Sequence, residues 1–214
     1  MKNIFCILLM LFLSSQLFGQ YFNGGLHLGH NFSQMVFSHR YYKKQYDDIK
    51  HGWEIGAFTN FKINKKTIGQ VEINLIPKGL NNNYQNYDGS ISYNANYIEP
   101  AFLLKYQLGK KLYIGGGFSM GYLMNNRVVP HLEKNYLNVD SLTFTKFDKS
   151  LVAQLSWRVT NKIELNVRLT HSIISISSFD EKAYWFIFIY GNDKGIFNQV
   201  LSANFYYTIN SKKN

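Results

Sequence analysis

The clearest structural signal lies in Leu151-Val-Ala-Gln-Leu-Ser-Trp-Arg-Val-Thr-Asn-Lys-Ile-Glu-Leu-Asn-Val-Arg-Leu-Thr-His171. Apolar residues occupy every second position on both sides of Thr160-Asn-Lys162, and most of the positions between them are polar or charged. A period of two is that of a β-strand, whose side chains alternate between the two faces of a sheet. The stretch therefore predicts two antiparallel strands joined by a tight turn, with one apolar face and one polar face.

The same alternation recurs in eight segments between residues 21 and 209, and in each segment the charged residues share the face opposite the apolar one. These charged residues are Glu54, Lys62, Glu72, Glu99, Lys105, Arg158, Glu164 and Arg168. A barrel in a membrane turns its apolar face to lipid and its polar face inward. We therefore predict an all-β fold, an eight-stranded antiparallel up-and-down transmembrane β-barrel, with four carboxylates and four cations paired in its lumen.

The connections between these segments alternate between short and long, as in outer-membrane barrels. The short ones are 64–67, 109–111 and 160–162, and the long ones are 33–52, 76–97, 123–150 and 174–196. We expect the short turns to face the periplasm and the long loops to face the exterior. Because the strand number is even, both termini are expected in the periplasm.

Two of the long loops contain further structural signals. Asp88-Gly89 is a hairpin turn signal flanked by tyrosines, and it predicts a hairpin that stands above the bilayer. Ala183–Tyr190 is continuously apolar and precedes a second turn signal, Gly191-Asn-Asp-Lys-Gly195. This second segment is either an extracellular extension of a hairpin or a ninth crossing, and the sequence leaves both possibilities open.

Aromatic residues collect at both ends of the apolar face, as expected for side chains at the two membrane interfaces. At the end near the short turns they are Phe22, Phe61, Tyr106, Trp157 and Tyr207, and at the other end they are Phe32, Trp53, Tyr122 and Phe197. A soluble exported barrel of the lipocalin type would have its apolar face inside and its charges outside. The aromatic girdles and the glycine- and serine-bearing polar face favour the membrane barrel.

Residues 1–19 have the pattern of a secretory signal peptide, with Lys2 followed by an apolar stretch and the small residue Gly19. We predict that residues 20–214 form the barrel domain, which would then lack cysteine because Cys6 lies in the signal peptide. The predicted location is the outer membrane of a Gram-negative bacterium.

The net charge of +10 does not indicate a nucleic-acid site, because its excess cations and its aromatic residues are segregated. The excess lies mostly in the short turns and the C-terminal tail, at Lys65, Lys66, Lys110, Lys111, Lys162, Lys212 and Lys213. A basic rim beside anionic headgroups predicts outer-membrane lipids as partners and no nucleic acid.

No catalytic, cofactor-binding or metal-binding residues are predicted. The histidines, none of which has His-x3-His spacing, are His27, His30, His39, His51, His131 and His171. No phosphate-binding or dinucleotide-binding motif occurs, so no cofactor is expected.

One alternative is a hydrolase at the outer rim formed by His171, Ser172 and an acid such as Asp180. Adjacent strand residues point to opposite faces, which disfavours this site. A second alternative is general acid–base catalysis by the lumen carboxylates.

Several segments together resemble the PorT-type outer-membrane β-barrel family of Bacteroidota. They are Gly24-Gly-Leu-His-Leu-Gly-His-Asn-Phe-Ser33, Tyr97-Ile-Glu-Pro-Ala-Phe-Leu-Leu-Lys-Tyr106, Leu112-Tyr-Ile-Gly-Gly-Gly-Phe-Ser-Met-Gly-Tyr122 and Ile163-Glu-Leu-Asn-Val-Arg-Leu-Thr-His171. The resemblance implies an eight-stranded barrel and a link to protein secretion and gliding.

From these observations we expect a non-enzymatic integral outer-membrane barrel that binds a partner or anchors an envelope assembly. Its long loops are rich in tyrosine and asparagine, which are suited to contacts with envelope or secretion-system proteins. The alternative is an outer-membrane enzyme that acts on lipid or peptide at the extracellular rim.

Overall fold

The computed structural model describes residues 22–37, 49–81, 91–130, 144–176 and 196–209. The predicted signal peptide, the Asp88-Gly89 turn and Ala183–Tyr190 lie outside these ranges. The strands are β1 (Phe22–Phe37), β2 (Lys50–Lys62), β3 (Thr67–Leu80), β4 (Ile91–Gln107), β5 (Leu112–Pro130), β6 (Phe147–Arg158), β7 (Ile163–Ser172) and β8 (Ile196–Thr208). The described ranges contain no helix long and apolar enough to cross a membrane.

The eight strands form a closed antiparallel barrel in which each strand pairs with its neighbours in sequence and β8 pairs with β1. The predicted eight-stranded up-and-down transmembrane barrel is confirmed. β7 pairs directly with β8 along nearly its whole length, from Ile163 opposite Tyr207 to His171 opposite Gln199. The barrel therefore closes with eight strands, and the alternative of a ninth crossing between these two is wrong.

Three short turns join β2 to β3, β4 to β5 and β6 to β7, as the sequence predicts. In the first turn, Asn64 Oδ1 accepts hydrogen bonds from the backbone N–H groups of Lys66 and Thr67, at 2.9 and 2.8 Å. In the third, Thr160 Oγ1 accepts from the N–H groups of Lys162 and Ile163, at 3.2 and 3.0 Å. Such side-chain hydrogen bonds are the reason that Asn and Thr favour turns.

The outer face of the barrel is apolar, as predicted from the alternation. Its most exposed members include Trp53, Leu104 and Phe118, with 69%, 58% and 57% of their surface exposed. The prediction that Phe197 belongs to the outer aromatic girdle was wrong. Phe197 is buried, because the start of β8 is covered on both faces and its ring stacks on that of His171.

The strands extend further towards the long loops than the sequence analysis expected. β1 continues to Phe37, β3 to Leu80 and β5 to Pro130, so the predicted loops at 33–52, 76–97 and 123–150 begin too early. β4 and β5 remain paired as far as Ile91 and Pro130, whereas the pairing of β5 with β6 ends at Tyr122 and Phe147. The barrel thus has an uneven extension at the end opposite the short turns.

Gly117 and Gly116 provide a matched test of the β4–β5 packing. A methyl group at Gly117 would lie 2.0 Å from the carbonyl oxygen of Phe102, whereas one at Gly116 would have its nearest neighbour, the carbonyl oxygen of Val152, at 3.5 Å. We expect Gly117→Ala to lower the free energy of unfolding by about 1–3 kcal/mol, because the strands must separate to admit the methyl group. Urea titration of the refolded barrel measures the change.

Gly116→Ala is the control and should leave the unfolding midpoint unchanged. Equal midpoints for the two variants would contradict the described register between β4 and β5.

Candidate functional site in the barrel lumen

The lumen is lined by alternate residues of all eight strands, and its centre is an ion pair between β7 and β3. The Arg168 guanidinium contacts both carboxylate oxygens of Glu72 at 2.8 Å. Arg168 also donates to Tyr206 Oη at 2.7 Å and to Gln154 Oε1 at 3.0 Å, and the Tyr206 hydroxyl donates to Glu72 at 2.9 Å. A bidentate ion pair that makes additional hydrogen bonds is the arrangement in which a buried charge is best tolerated.

A second group of charges lies nearer the short turns. Lys105 forms a buried ion pair with Glu164, and Arg158 lies 3.9 Å from the other oxygen of the same carboxylate. The Arg158 guanidinium stacks over the Tyr113 ring at 4.5 Å, and about a third of its side chain is exposed. These residues close the half of the lumen nearer the short turns with charge and aromatic surface.

A third group is centred on Lys78, which is completely buried. Its ammonium group pairs with Glu99 and, at 2.9 Å, with Asp148. Asp148 also accepts hydrogen bonds from Ser150, Ser172 and Asn198, at 3.0, 2.7 and 2.9 Å. This group satisfies the charge of Lys78 through contacts from β3, β4 and β6.

The sequence analysis missed Lys78 and Asp148, which it had placed in the long loops. The period of two nevertheless indicated their position. Lys78 lies an even number of residues from Glu72, and Asp148 lies an even number from Gln154, so both belong to the inner face once the strands are extended.

Six of the eight predicted lumen residues take part in the described ion pairs: Glu72, Glu99, Lys105, Arg158, Glu164 and Arg168. Glu54 is also buried on the inner face, but it makes no ion pair with the described residues. Lys62 does not belong to the network. It is exposed, because β2 ends at this residue and its side chain reaches water at the rim.

The end of the lumen opposite the short turns is filled by apolar side chains that pack around the Lys78 ion pairs. This apolar cluster consists of Met35, Ile76, Leu80, Tyr93, Ala95, Tyr97, Ile176, Ile196 and Val200. Phe144 stacks on Tyr93, with ring centroids 4.1 Å apart. The interior of an eight-stranded barrel is just wide enough for side chains to fill, and here ion pairs and the apolar cluster occupy it.

The arrangement of His171 and Ser172 does not match a hydrolytic site. Ser172 is buried on the inner face, where its hydroxyl donates to Asp148 and accepts from the Asn198 backbone N–H at 3.0 Å. His171 lies on the outer face, where its ring stacks on Phe197. Asp180 lies outside the described residues. The described geometry therefore places no histidine beside the Ser172 hydroxyl, whose carboxylate neighbour Asp148 is itself paired with Lys78.

A protein-family model described as "Outer membrane protein beta-barrel domain" matches residues 14–178. The chain belongs to this family. Membership in the outer membrane protein beta-barrel domain family identifies the chain as an outer-membrane protein and agrees with its closed barrel and apolar outer face. The finer PorT-type assignment goes beyond this match. No curated protein matches the chain.

Solved structures of outer-membrane barrels are similar to this member of the outer membrane protein beta-barrel domain family. Neisserial surface protein A is 12% identical, with a TM-score of 0.49, and the match covers 87% of this chain and 97% of that one. The attachment invasion locus protein Ail of Yersinia pestis is 8% identical, with a TM-score of 0.42 and coverages of 86% and 98%. OprG of Pseudomonas aeruginosa is 8% identical, with a TM-score of 0.41 and coverages of 87% and 91%.

Replacement of Arg168 by leucine tests the ion-pair network. The change leaves Glu72 buried without its cation, so we expect the free energy of unfolding to fall by about 3–5 kcal/mol. Urea titration in phospholipid vesicles, followed by tryptophan fluorescence, measures this loss. The exposed Arg127 provides a control, and Arg127→Leu should change stability by less than about 0.5 kcal/mol.

The double variant Glu72→Leu/Arg168→Leu should recover much of the loss, because it leaves no unpaired charge. If Arg168→Leu is as stable as the wild type, the Arg168–Glu72 pair does not support the barrel.

Proposed function

We propose that this protein is a non-enzymatic outer-membrane barrel that acts as a binding or anchoring component of the cell envelope. The observation that carries the proposal is the filled lumen. Arg168, Lys105 and Lys78 are each held by carboxylates in the interior, and the apolar cluster fills the space around the Lys78 pairs. A side-chain-filled interior supports a role that is performed at the outer surfaces of the barrel.

We further propose that the long loops provide the contacts with envelope or secretion-system proteins. Their tyrosine-rich stretches include Tyr41-Tyr42, Tyr84 and Tyr87. Tyrosine gives a large contact area at a small cost in conformational entropy. The resemblance to PorT-type barrels supports a place in a secretion or gliding system.

The proposed orientation has both termini and the short turns in the periplasm, after removal of residues 1–19 as a signal peptide. Two observations support it. The strand number is even, and the lysines of the turns form an exposed basic rim, defined by Lys65, Lys66, Lys110, Lys111 and Lys162. This basic rim is suited to the phosphates of outer-membrane lipids at the inner leaflet.

The enzymatic alternative receives no support from the described residues. The buried acids Glu72, Glu99 and Glu164 each contact a cationic partner inside the barrel, so their oxygens are already engaged. The Ser172 hydroxyl is turned away from His171 and towards Asp148. The arrangement therefore favours a structural role for these side chains.

Site-specific photo-crosslinking in native cells tests the proposed role of the loops. A photoreactive phenylalanine analogue at Tyr84 should give a discrete adduct with an envelope protein, because this loop is proposed to face the partner. The same analogue at Leu104, on the lipid-facing surface, is the matched control and should give no protein adduct. Immunoblotting and mass spectrometry of the adduct provide the readout.

The absence of adducts at both Tyr42 and Tyr84 would contradict the binding role. Incubation of the purified barrel with labelled lipopolysaccharide and a peptide library provides a separate check. Turnover that is lost in His171→Ala would establish the enzymatic alternative instead.

A further inference from the structure

We propose that His30 and His51 form a binding site for Zn²⁺ on the outer surface of the barrel. His30 belongs to β1 and His51 to β2. The strand register pairs His30 with Trp53 and Phe32 with His51, so the two histidines occupy diagonal positions on the same face. His30 Nε2 lies 3.3 Å from His51 Nδ1.

This separation matches that of two ligands on one metal ion. Zinc–nitrogen bonds are about 2.0–2.1 Å long, so two nitrogens on a tetrahedral zinc lie about 3.3 Å apart. In the absence of an ion, the same two nitrogens share a hydrogen bond, which keeps the rings close together. Neutral imidazole is a good ligand for zinc. The pair can therefore provide two of the four ligands of a tetrahedral zinc ion, at the separation that two such ligands have.

Aromatic rings hold both imidazoles in this arrangement. The His30 ring contacts Phe32 and Trp53 edge to face, with centroids 5.0 and 4.9 Å apart and interplanar angles of 81° and 71°. The His51 ring contacts Phe32 in the same way, at 5.1 Å. These contacts limit rotation of the rings, so less conformational freedom is lost when a ligand binds.

The site is also accessible. His51 is exposed, and Trp53 is the most exposed apolar side chain of the outer face that the structure describes. Both lie towards the end of the barrel opposite the short turns, where aromatic residues mark the membrane interface. His30 is half-buried beside them, so we expect a metal ion to reach the two nitrogens from the exposed side of His51.

No third residue joins the pair, since the described residues contain no group of three or more His, Cys, Asp or Glu suited to a metal ion. Two coordination positions of a tetrahedral ion remain for oxygen ligands, which water provides in the detergent-solubilised protein. The sequence spacing concealed this pair, because His30 and His51 are 21 positions apart and only the β1–β2 register brings them together.

Titration calorimetry with ZnCl₂ tests the proposal on the full chain, refolded in non-ionic detergent without a polyhistidine tag and in a buffer free of phosphate. We expect one zinc ion per barrel. His30→Gln and His51→Gln should each reduce the affinity at least about tenfold, because each removes a ligand. His171→Gln is the matched control on the same outer face and should bind zinc as the wild type does.

A second measurement uses Trp53 as a reporter. In a Trp157→Phe/Trp185→Phe background, Cu²⁺ should quench the Trp53 fluorescence, since copper binds nitrogen sites more tightly than zinc and its unpaired electron quenches the nearby indole. His30→Gln and His51→Gln in that background should abolish quenching at the copper concentration that saturates the parent.

Circular dichroism and heat-modifiable migration on gels confirm that each variant is folded. The proposal is overturned if wild-type protein releases or absorbs no heat on addition of zinc. It is equally overturned if folded His30→Gln and His51→Gln retain the wild-type affinity.

Discussion

Hydrocarbon provides no hydrogen-bonding partner, so every backbone N–H and C=O group at membrane depth must be paired within the protein. A sheet meets this requirement only when its last strand pairs with its first, as β8 does with β1 here. Closure then separates two environments. Leu104 and Trp157 face lipid, while Glu72 and Arg168, on the other face of their strands, must find partners inside. The ion-pair network is therefore a consequence of closure.

The interior is divided along its length. Charged pairs built on Lys105, Arg168 and Lys78 follow one another away from the short turns, and the apolar cluster packs around the Lys78 pairs and continues past them to Tyr93. The cluster resembles the core of a small soluble barrel, which is consistent with strands that continue past the bilayer. A barrel whose interior is filled by its own side chains needs no bound ligand to be stable. It is therefore well suited to present loops.

Much of this fold could be predicted from the sequence, because a period of two in eight segments assigns each residue to a face. The assignment is correct for most residues of the strands, Leu26 and Tyr207 among them, and the turns at Asn64 and Thr160 follow from the hydrogen bonds that these side chains offer. Strand ends were harder to predict. Lys78 and Asp148 were assigned to loops because polar residues above the bilayer interrupt the apolar face, although the inner face continues.

The remaining errors have the same physical origin. Lys62 keeps the alternation of the lumen residues, but the strand ends there and the side chain reaches water. Phe197 keeps the outer alternation, but the start of β8 is covered on both faces. Contacts between distant strands, such as the His30–His51 pair, depend on register, which the alternation alone does not specify. The candidate site was therefore less predictable than the fold.

The orientation of the two faces can be measured with tryptophan and brominated lipids. In a background with the native tryptophans replaced by phenylalanine, Leu104→Trp places an indole on the outer face and Tyr113→Trp places one on the inner face. Bromine on the acyl chains should quench the fluorescence of Leu104→Trp strongly and leave that of Tyr113→Trp nearly unchanged. Strong quenching at position 113 together with none at position 104 would contradict a barrel with its charges inside and its apolar face in lipid.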